Sequence, residues 1–182
     1  QAGASALSVL TDLHYFGGAT EDLELARKQV AIPILRKDFV VDEYQILEAK
    51  SMGADCILLI AAALTPEKVQ SLAAFAQSLG LEVLLEVHNK EELEKALMPS
   101  LDMIGVNNRN LKTFEVDLRH SRELSSYIPK DFVKVSESGI SNVAAIKGLK
   151  THGFQGFLIG ENFMKTDNPG ESAKEFIKKL NA

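Results

Sequence analysis

Lys37, Glu86, Asn107, Arg109 and Ser138 are polar residues that solubility alone does not account for, because each ends or closely follows a short apolar run. Lys37, in Arg36-Lys37-Asp38-Phe39, comes straight after Pro33–Arg36. A lysine there either snorkels its amine to solvent or holds an ammonium in a half-buried mouth, where it gives a proton or polarises a carbonyl oxygen. Glu86 lies among Leu84, Leu85 and Val87, and an acid in that company needs a cationic or hydrogen-bonding partner to stay ionised. It is either half of a structural ion pair or, with Lys37, an acid–base couple. Asn107 and Arg109 straddle Asn108 and share a face in an extended segment. They suit an anionic or hydroxylated ligand, or simply fix a loop. Ser138-Gly139 and Gly160 supply small residues where a turn needs them or where backbone must approach a ligand closely. Two such loops beside a helix N-terminus form a phosphate cradle in many parallel α/β proteins.

The rest of the chain narrows the chemistry. Lys and Arg number 20 against 25 Asp and Glu, a net charge of −5 over 182 residues, which disfavours a broad nucleic-acid footprint. No apolar run approaches the roughly 18 residues of a membrane span. The four histidines are scattered without metal-ligand spacing, so no metal is expected. No GxGxxG, P-loop or Gly-x-Ser-x-Gly elbow is present, which weakens nicotinamide, nucleotide and serine-hydrolase readings. The single cysteine, Cys56, cannot form an internal disulfide and begins an apolar run. It reads as core in a reducing, cytoplasmic setting. The opening Gln1-Ala2-Gly3 has neither a secretory signal nor an initiating Met, the pattern of a processed or excised chain.

These residues need a scaffold that brings strand ends to one rim. The apolar runs are Ala6–Leu10, Pro33–Arg36, Cys56–Ile60, Glu82–Val87, Asp102–Val106, Phe132–Val135 and Gly156–Ile159, starting on average 25 residues apart. Near-continuous apolar strands at that spacing indicate a parallel sheet covered by helices. The intervening stretches carry helix punctuation. Thr65-Pro66-Glu67 is a cap, a first-turn proline and an acid, with Val69, Leu72, Ala73, Ala76 and Leu79 as one stripe ending at Gly80. Asp42 with Ile46, Leu47 and Gly53 repeats the design, as does Asn89 with Leu93, Ala96 and Leu97. Ser141-Asn142 is placed to cap the helix after Gly139, and a last helix from Pro169 turns Ala173, Phe176, Ile177 and Leu180 inward. The expectation is one α/β domain, residues 1–182, of seven strand–helix units, either an open sheet or an eight-unit barrel whose first unit lies outside the chain. In either, chemistry gathers at the strand C-terminal ends.

The segments SVLTDLHYFGG, ILRKDFVVDEYQI, LLEVHNKEEL, IGVNNRNLKTFEVDL, VSESGI and LIGENFM, in that order, resemble the indole-3-glycerol-phosphate synthases, carboxy-lyases of tryptophan biosynthesis with a (β/α)8 TIM barrel. The resemblance runs through essentially the whole chain. It implies a cofactor-free reaction on a phosphorylated small molecule, 1-(2-carboxyphenylamino)-1-deoxyribulose 5-phosphate, which closes to indole-3-glycerol phosphate with loss of CO2 and water. Carried over by motif, Lys37 is the general acid, Glu86 serves the proton and cation chemistry, and Asn107 and Arg109 hold the hydroxyl and carboxylate region. Phe39 packs on the aromatic ring, Glu137 and Ser138 shape the sugar side, and Ser138, Gly139, Gly160 and Glu161 surround the phosphate. The family's first strand and its Glu-x-Lys-x-x-Ser-type motif have no counterpart before Gln1, so the chain is expected to supply the second to eighth units. That predicts an open barrel edge covered by self-association or by a missing N-terminal segment. The alternatives are an inactive phosphate-binding fragment of the barrel, or another sugar-phosphate isomerase.

Overall fold

β-branched and leucine-rich runs do form the strands. In a computed structural model, which describes residues 2–111 and 113–182, seven strands alternate with helices. The strands are β1 (Leu7–Leu10), β2 (Ile34–Lys37), β3 (Cys56–Ile60), β4 (Glu82–Val87), β5 (Met103–Asn107), β6 (Val133–Glu137) and β7 (Phe154–Leu158). The helices are α1 (Thr20–Gln29), α2 (Glu43–Ser51), α3 (Pro66–Ser78), α4 (Lys90–Ala96), α5 (Arg119–Leu124), α6 (Val143–Lys150), α7 (Glu161–Met164) and α8 (Pro169–Asn181). Gln1 and Lys112, both within segments used in the sequence reading, lie outside the described residues. Among the described residues no helix is long and apolar enough to cross a membrane.

The chain divides into two compact units. Ser5–Val87 with Glu91–Met103 carries β1 to β4, and Ile104–Ala182 with His88–Lys90 and the chain start carries nearly all of β5, with β6 and β7. In the first unit the strands pair in sequence order and in parallel. β3 is buried from end to end, and Ile57, Leu58, Leu59, Val83 and Leu85 have no exposure. Strands covered on both faces have to read as continuous apolar runs, and these do. In the second unit β6 pairs with β7 in parallel, with a register shift between Lys134 and Val135.

Helix ends are set by side-chain caps. Asp42 and Gln45 make a reciprocal capping box on α2, Thr65 Oγ1 accepts from Lys68 N at the start of α3, and Asn142 Oδ1 accepts from Ala145 N on α6. Val69, Leu72, Ala73 and Ala76 of α3 are fully buried.

Three sequence expectations need correction. β2, β5 and β6 run one or two residues past the apolar runs, so Lys37, Asn107 and Glu137 are last strand residues. Parallel pairing uses backbone groups alone and so continues beneath a polar side chain. Leu47 is 47% exposed while Ala49 joins Ile46 in the core, because positions 46 and 49 share a face and 47 is turned about 100° from 46. The α8 stripe is only half-buried. It has α6, α7 and the first residues to pack on, with Phe176 meeting Phe163 edge-on at 5.5 Å.

Candidate active site

Register decides which side chains can meet in the first unit. Leu10 pairs with Lys37, Arg36 with Ile57 and Ile57 with Val83, and Glu86 pairs with Ile60. Carried across β3, Lys37 is level with Leu84, two residues before Glu86, so strand alternation turns Lys37 and Glu86 to the same side. A lysine stem spans that offset. Lys37 Nζ lies 3.0 Å from Glu86 Oε2, with side-chain exposures of 18% and 4%. The carboxylate is buried, whereas the ammonium keeps some access to water. The lysine amine also sits 5.4 Å from the centre of the Phe16 ring. Phe16 stacks on Phe39 at 4.8 Å and 13°, and Tyr15 tilts against Phe39 at 5.2 Å. An ammonium beside a carboxylate and a patch of aromatic rings can donate a proton to an oxygen while its charge stays balanced.

The opposite side of β2 is a foundation for that lysine. Arg36 is buried and donates to Asp38 Oδ2 at 3.0 Å, Thr11 Oγ1 at 3.1 Å and the Gln45 carbonyl at 2.7 Å, with Glu48 Oε2 at 3.4 Å. Thr11 Oγ1 donates to Asp38 Oδ2 at 2.6 Å. The other Asp38 oxygen accepts from Phe39 N at 2.7 Å, and Gln45 Nε2 donates to Phe39 O at 2.9 Å. Phe39 is thus held by both its backbone groups, and Lys37 lies between two residues locked to α2 and the end of β1. In the sequence alone Arg36 and Asp38 carry no evident task. The signal was an arginine immediately after a buried leucine, which demands acceptors inside the fold.

The second unit brings together the other group. Asn107 and Glu137 are buried at the ends of β5 and β6. Asn107 Oδ1 accepts from Arg109 N at 3.0 Å, tightening the turn between them. Arg109 Nη2 pairs with Glu161 Oε2 at 2.8 Å, with Glu161 mostly exposed. Ser138 and Gly139 both take left-handed backbone, at φ 66 and φ 75. At Gly139 an added Cβ would come within 2.2 Å of Val116 Cγ1, so the loop after β5 packs against this turn and only glycine fits. A Cβ at Gly160 would meet nothing within 4 Å, so packing does not explain that glycine. The short α7 opens at Glu161, directly after it.

Among the other titratable groups, Cys56 and Lys134 are shifted by burial. Burial pushes the Cys56 thiol up, with Glu82 adding repulsion to its thiolate. Burial, with Lys130 nearby, pulls Lys134 down. Among the described residues no group of three or more His, Cys, Asp or Glu side chains is placed to hold a metal ion.

Comparison with known proteins bears on which chemistry this arrangement serves. A family model for indole-3-glycerol phosphate synthase matches residues 1–176. The indole-3-glycerol phosphate synthase of Bacteroides thetaiotaomicron is 56% identical over 179 residues, covering 98% of this chain and 68% of that protein. Among solved structures, KGPDC from Streptococcus mutans aligns with a TM-score of 0.74 at 14% identity, over 98% of this chain and 85% of that one. A native KDPGal structure aligns at 0.68 and 14% identity, over 99% and 81%. At such identity the structural likeness speaks to fold alone.

Proposed function

The chain belongs to the indole-3-glycerol phosphate synthase family, and from that premise we propose that Lys37 and Glu86 are the proton-handling pair of its carboxy-lyase reaction. The substrate is 1-(2-carboxyphenylamino)-1-deoxyribulose 5-phosphate. Its ring carbon bearing the carboxylate attacks the ribulose carbonyl carbon, and Lys37 protonates the carbonyl oxygen as the carbon–carbon bond forms. The carboxylate leaves as CO2, and its bonding electrons restore the aromatic ring. The new hydroxyl then departs as water, assisted by the ring nitrogen, and loss of a proton from the neighbouring carbon completes the indole. Glu86 balances the lysine charge and takes up protons in these steps. The observation that carries this assignment is the 3.0 Å ion pair with its buried carboxylate and half-buried amine. An electron-rich ring attacking a ketone requires an acid at the oxygen.

The other roles follow in the same proposal. Phe39, stacked with Phe16, packs on the substrate's aromatic ring. Asn107 and Arg109 hold its hydroxyl and carboxylate region, and Glu137 with Ser138 shapes the sugar side. Ser138, Gly139, Gly160 and Glu161 take the phosphate. A carboxylate repels that anion, so Glu161 contributes through its backbone, and its side chain holds Arg109. In fold terms, the parallel order and strand–helix alternation support a barrel of the (β/α)8 family.

The test is turnover of the ribulose phosphate substrate, followed by indole fluorescence and released CO2. Growth of both signals supports the lyase. Phosphate binding without either signal overturns it in favour of a binding fragment, and a rearranged sugar without CO2 overturns it in favour of an isomerase.

A further inference from the structure

Asn108 stands between two residues assigned to substrate, and strand alternation turns it away from both. It is 2% exposed, and its carboxamide is engaged at both ends. Oδ1 accepts from Ser121 N at 3.1 Å and from Ser121 Oγ at 2.8 Å. Nδ2 donates to Ser136 Oγ at 3.0 Å, to Glu137 O at 2.8 Å and to Ser138 O at 3.2 Å. Its backbone N donates to the same Glu137 carbonyl at 2.9 Å, and its backbone O accepts from Asp117 N at 3.0 Å. Ser121 and Ser136, whose hydroxyls lie 2.8 Å apart, have no exposure.

The group that this amide holds is strained. Ser138 carries a side chain at φ 66, a conformation that disfavours every residue but glycine and persists only where its surroundings enforce it. Of the contacts Asn108 makes, the one to the Ser138 carbonyl bears directly on that turn. No other side-chain type of this size supplies both capacities. Aspartate would set an oxygen against two carbonyls, and leucine would leave them without the donor.

We propose that Asn108 is a positioning residue, one that fixes the left-handed Ser138–Gly139 turn and ties it through Ser121 to α5. This rests on the reading in which Ser138 and Gly139 meet the substrate phosphate. Asn108 touches no substrate and acts by holding those that do.

The test compares Asn108→Ala and Ser121→Ala with the parent chain. The readouts are circular dichroism, thermal stability, affinity for inorganic phosphate by calorimetry, and KM against kcat. Asn108→Ala is expected to weaken phosphate binding and raise KM by about tenfold, the scale of one lost hydrogen bond, while kcat falls less than about threefold. Ser121→Ala, which spares the carbonyl tethers, is expected to move the same quantities by about two- to fivefold. A folded Asn108→Ala chain with parental phosphate affinity and KM overturns the proposal, even if its stability has dropped. If that variant does not fold, Ser121→Ala decides, and lowered stability with unchanged phosphate affinity overturns it. A parent chain that binds phosphate without turnover defeats the lyase reading instead, and loss of phosphate binding in the variants then still supports the role of Asn108.

Discussion

Replacing Lys37 separates its service as a counter-ion from its service as an acid. At 3.0 Å from Glu86, its gross attraction at an effective dielectric of about 20 is about 5.5 kcal/mol. Desolvation offsets much of that, and the amine keeps partial access to water, so the net loss on breaking the pair falls near the lower end of the roughly 3–5 kcal/mol typical of buried ion pairs. Lys37→Met is therefore expected to lose about 3 kcal/mol of stability, a large share of the roughly 5–15 kcal/mol a domain commands. It is also expected to lose about 10²–10⁴-fold in turnover, the usual contribution of a general acid. Lys37→Arg keeps the positive charge opposite Glu86 and should retain most of the stability. A guanidinium holds its proton too tightly to deliver it to a carbonyl oxygen, so turnover should fall nearly as far as in the methionine variant. Urea denaturation measures the first quantity and indole fluorescence the second. An arginine variant turning over within about threefold of the parent would refute proton donation by Lys37, because the charge alone would then suffice.

Glu161→Gln removes the partner of Arg109 without disturbing a buried group. It should change stability by less than about 1 kcal/mol and raise the substrate KM about two- to fivefold, since Arg109 loses the charge that holds it in place; an unchanged or lowered KM counts against that placement. Gly139→Ala drives a methyl group to within 2.2 Å of Val116 Cγ1 at φ 75. It should destabilise the chain by at least about 1–3 kcal/mol, and adding Val116→Ala should restore part of that loss, which chemical denaturation of single and double variants will read. Cys56, buried with its thiol pushed up, should resist a thiol reagent in the native protein and react quickly in denaturant. Fast native labelling would contradict its placement in β3.

The parts that could be read from the amino acids are those governed by local chemistry. The bounds of β3 and β4 follow directly from apolar runs, and Thr65, Asp42 and Asn142 announce helix starts because each cap is satisfied within three residues. Glu86 stands out because an acid inside apolar sequence demands a partner, and Lys37 because it directly follows an apolar run; they prove to be partners of each other. The bonding of Arg36 and Asp38 to Thr11 was hidden, since it joins positions 25 to 27 residues apart through a register that no local pattern encodes. Asn108 is inconspicuous in the sequence for a related reason. Its value lies in facing Ser121 and Ser136, both inconspicuous serines until the fold brings them together. Leu47 and the α8 stripe show the reverse failing, in which an apolar side chain is available for burial but its neighbours do not cover it.

β2 and the residue that follows it present Lys37 to one side and Arg36 with Asp38 to the other, in three consecutive positions. A slip of the strand by a single residue would exchange them, pressing the lysine against α2 and sending a guanidinium toward Glu86. Both arrangements conserve net charge, yet only one leaves a transferable proton on the reactive side. Insertions or deletions within Ile34–Lys37 should consequently abolish chemistry even where the chain still folds, whereas length changes in the exposed Leu13–Tyr15 stretch should leave the strand's frame intact.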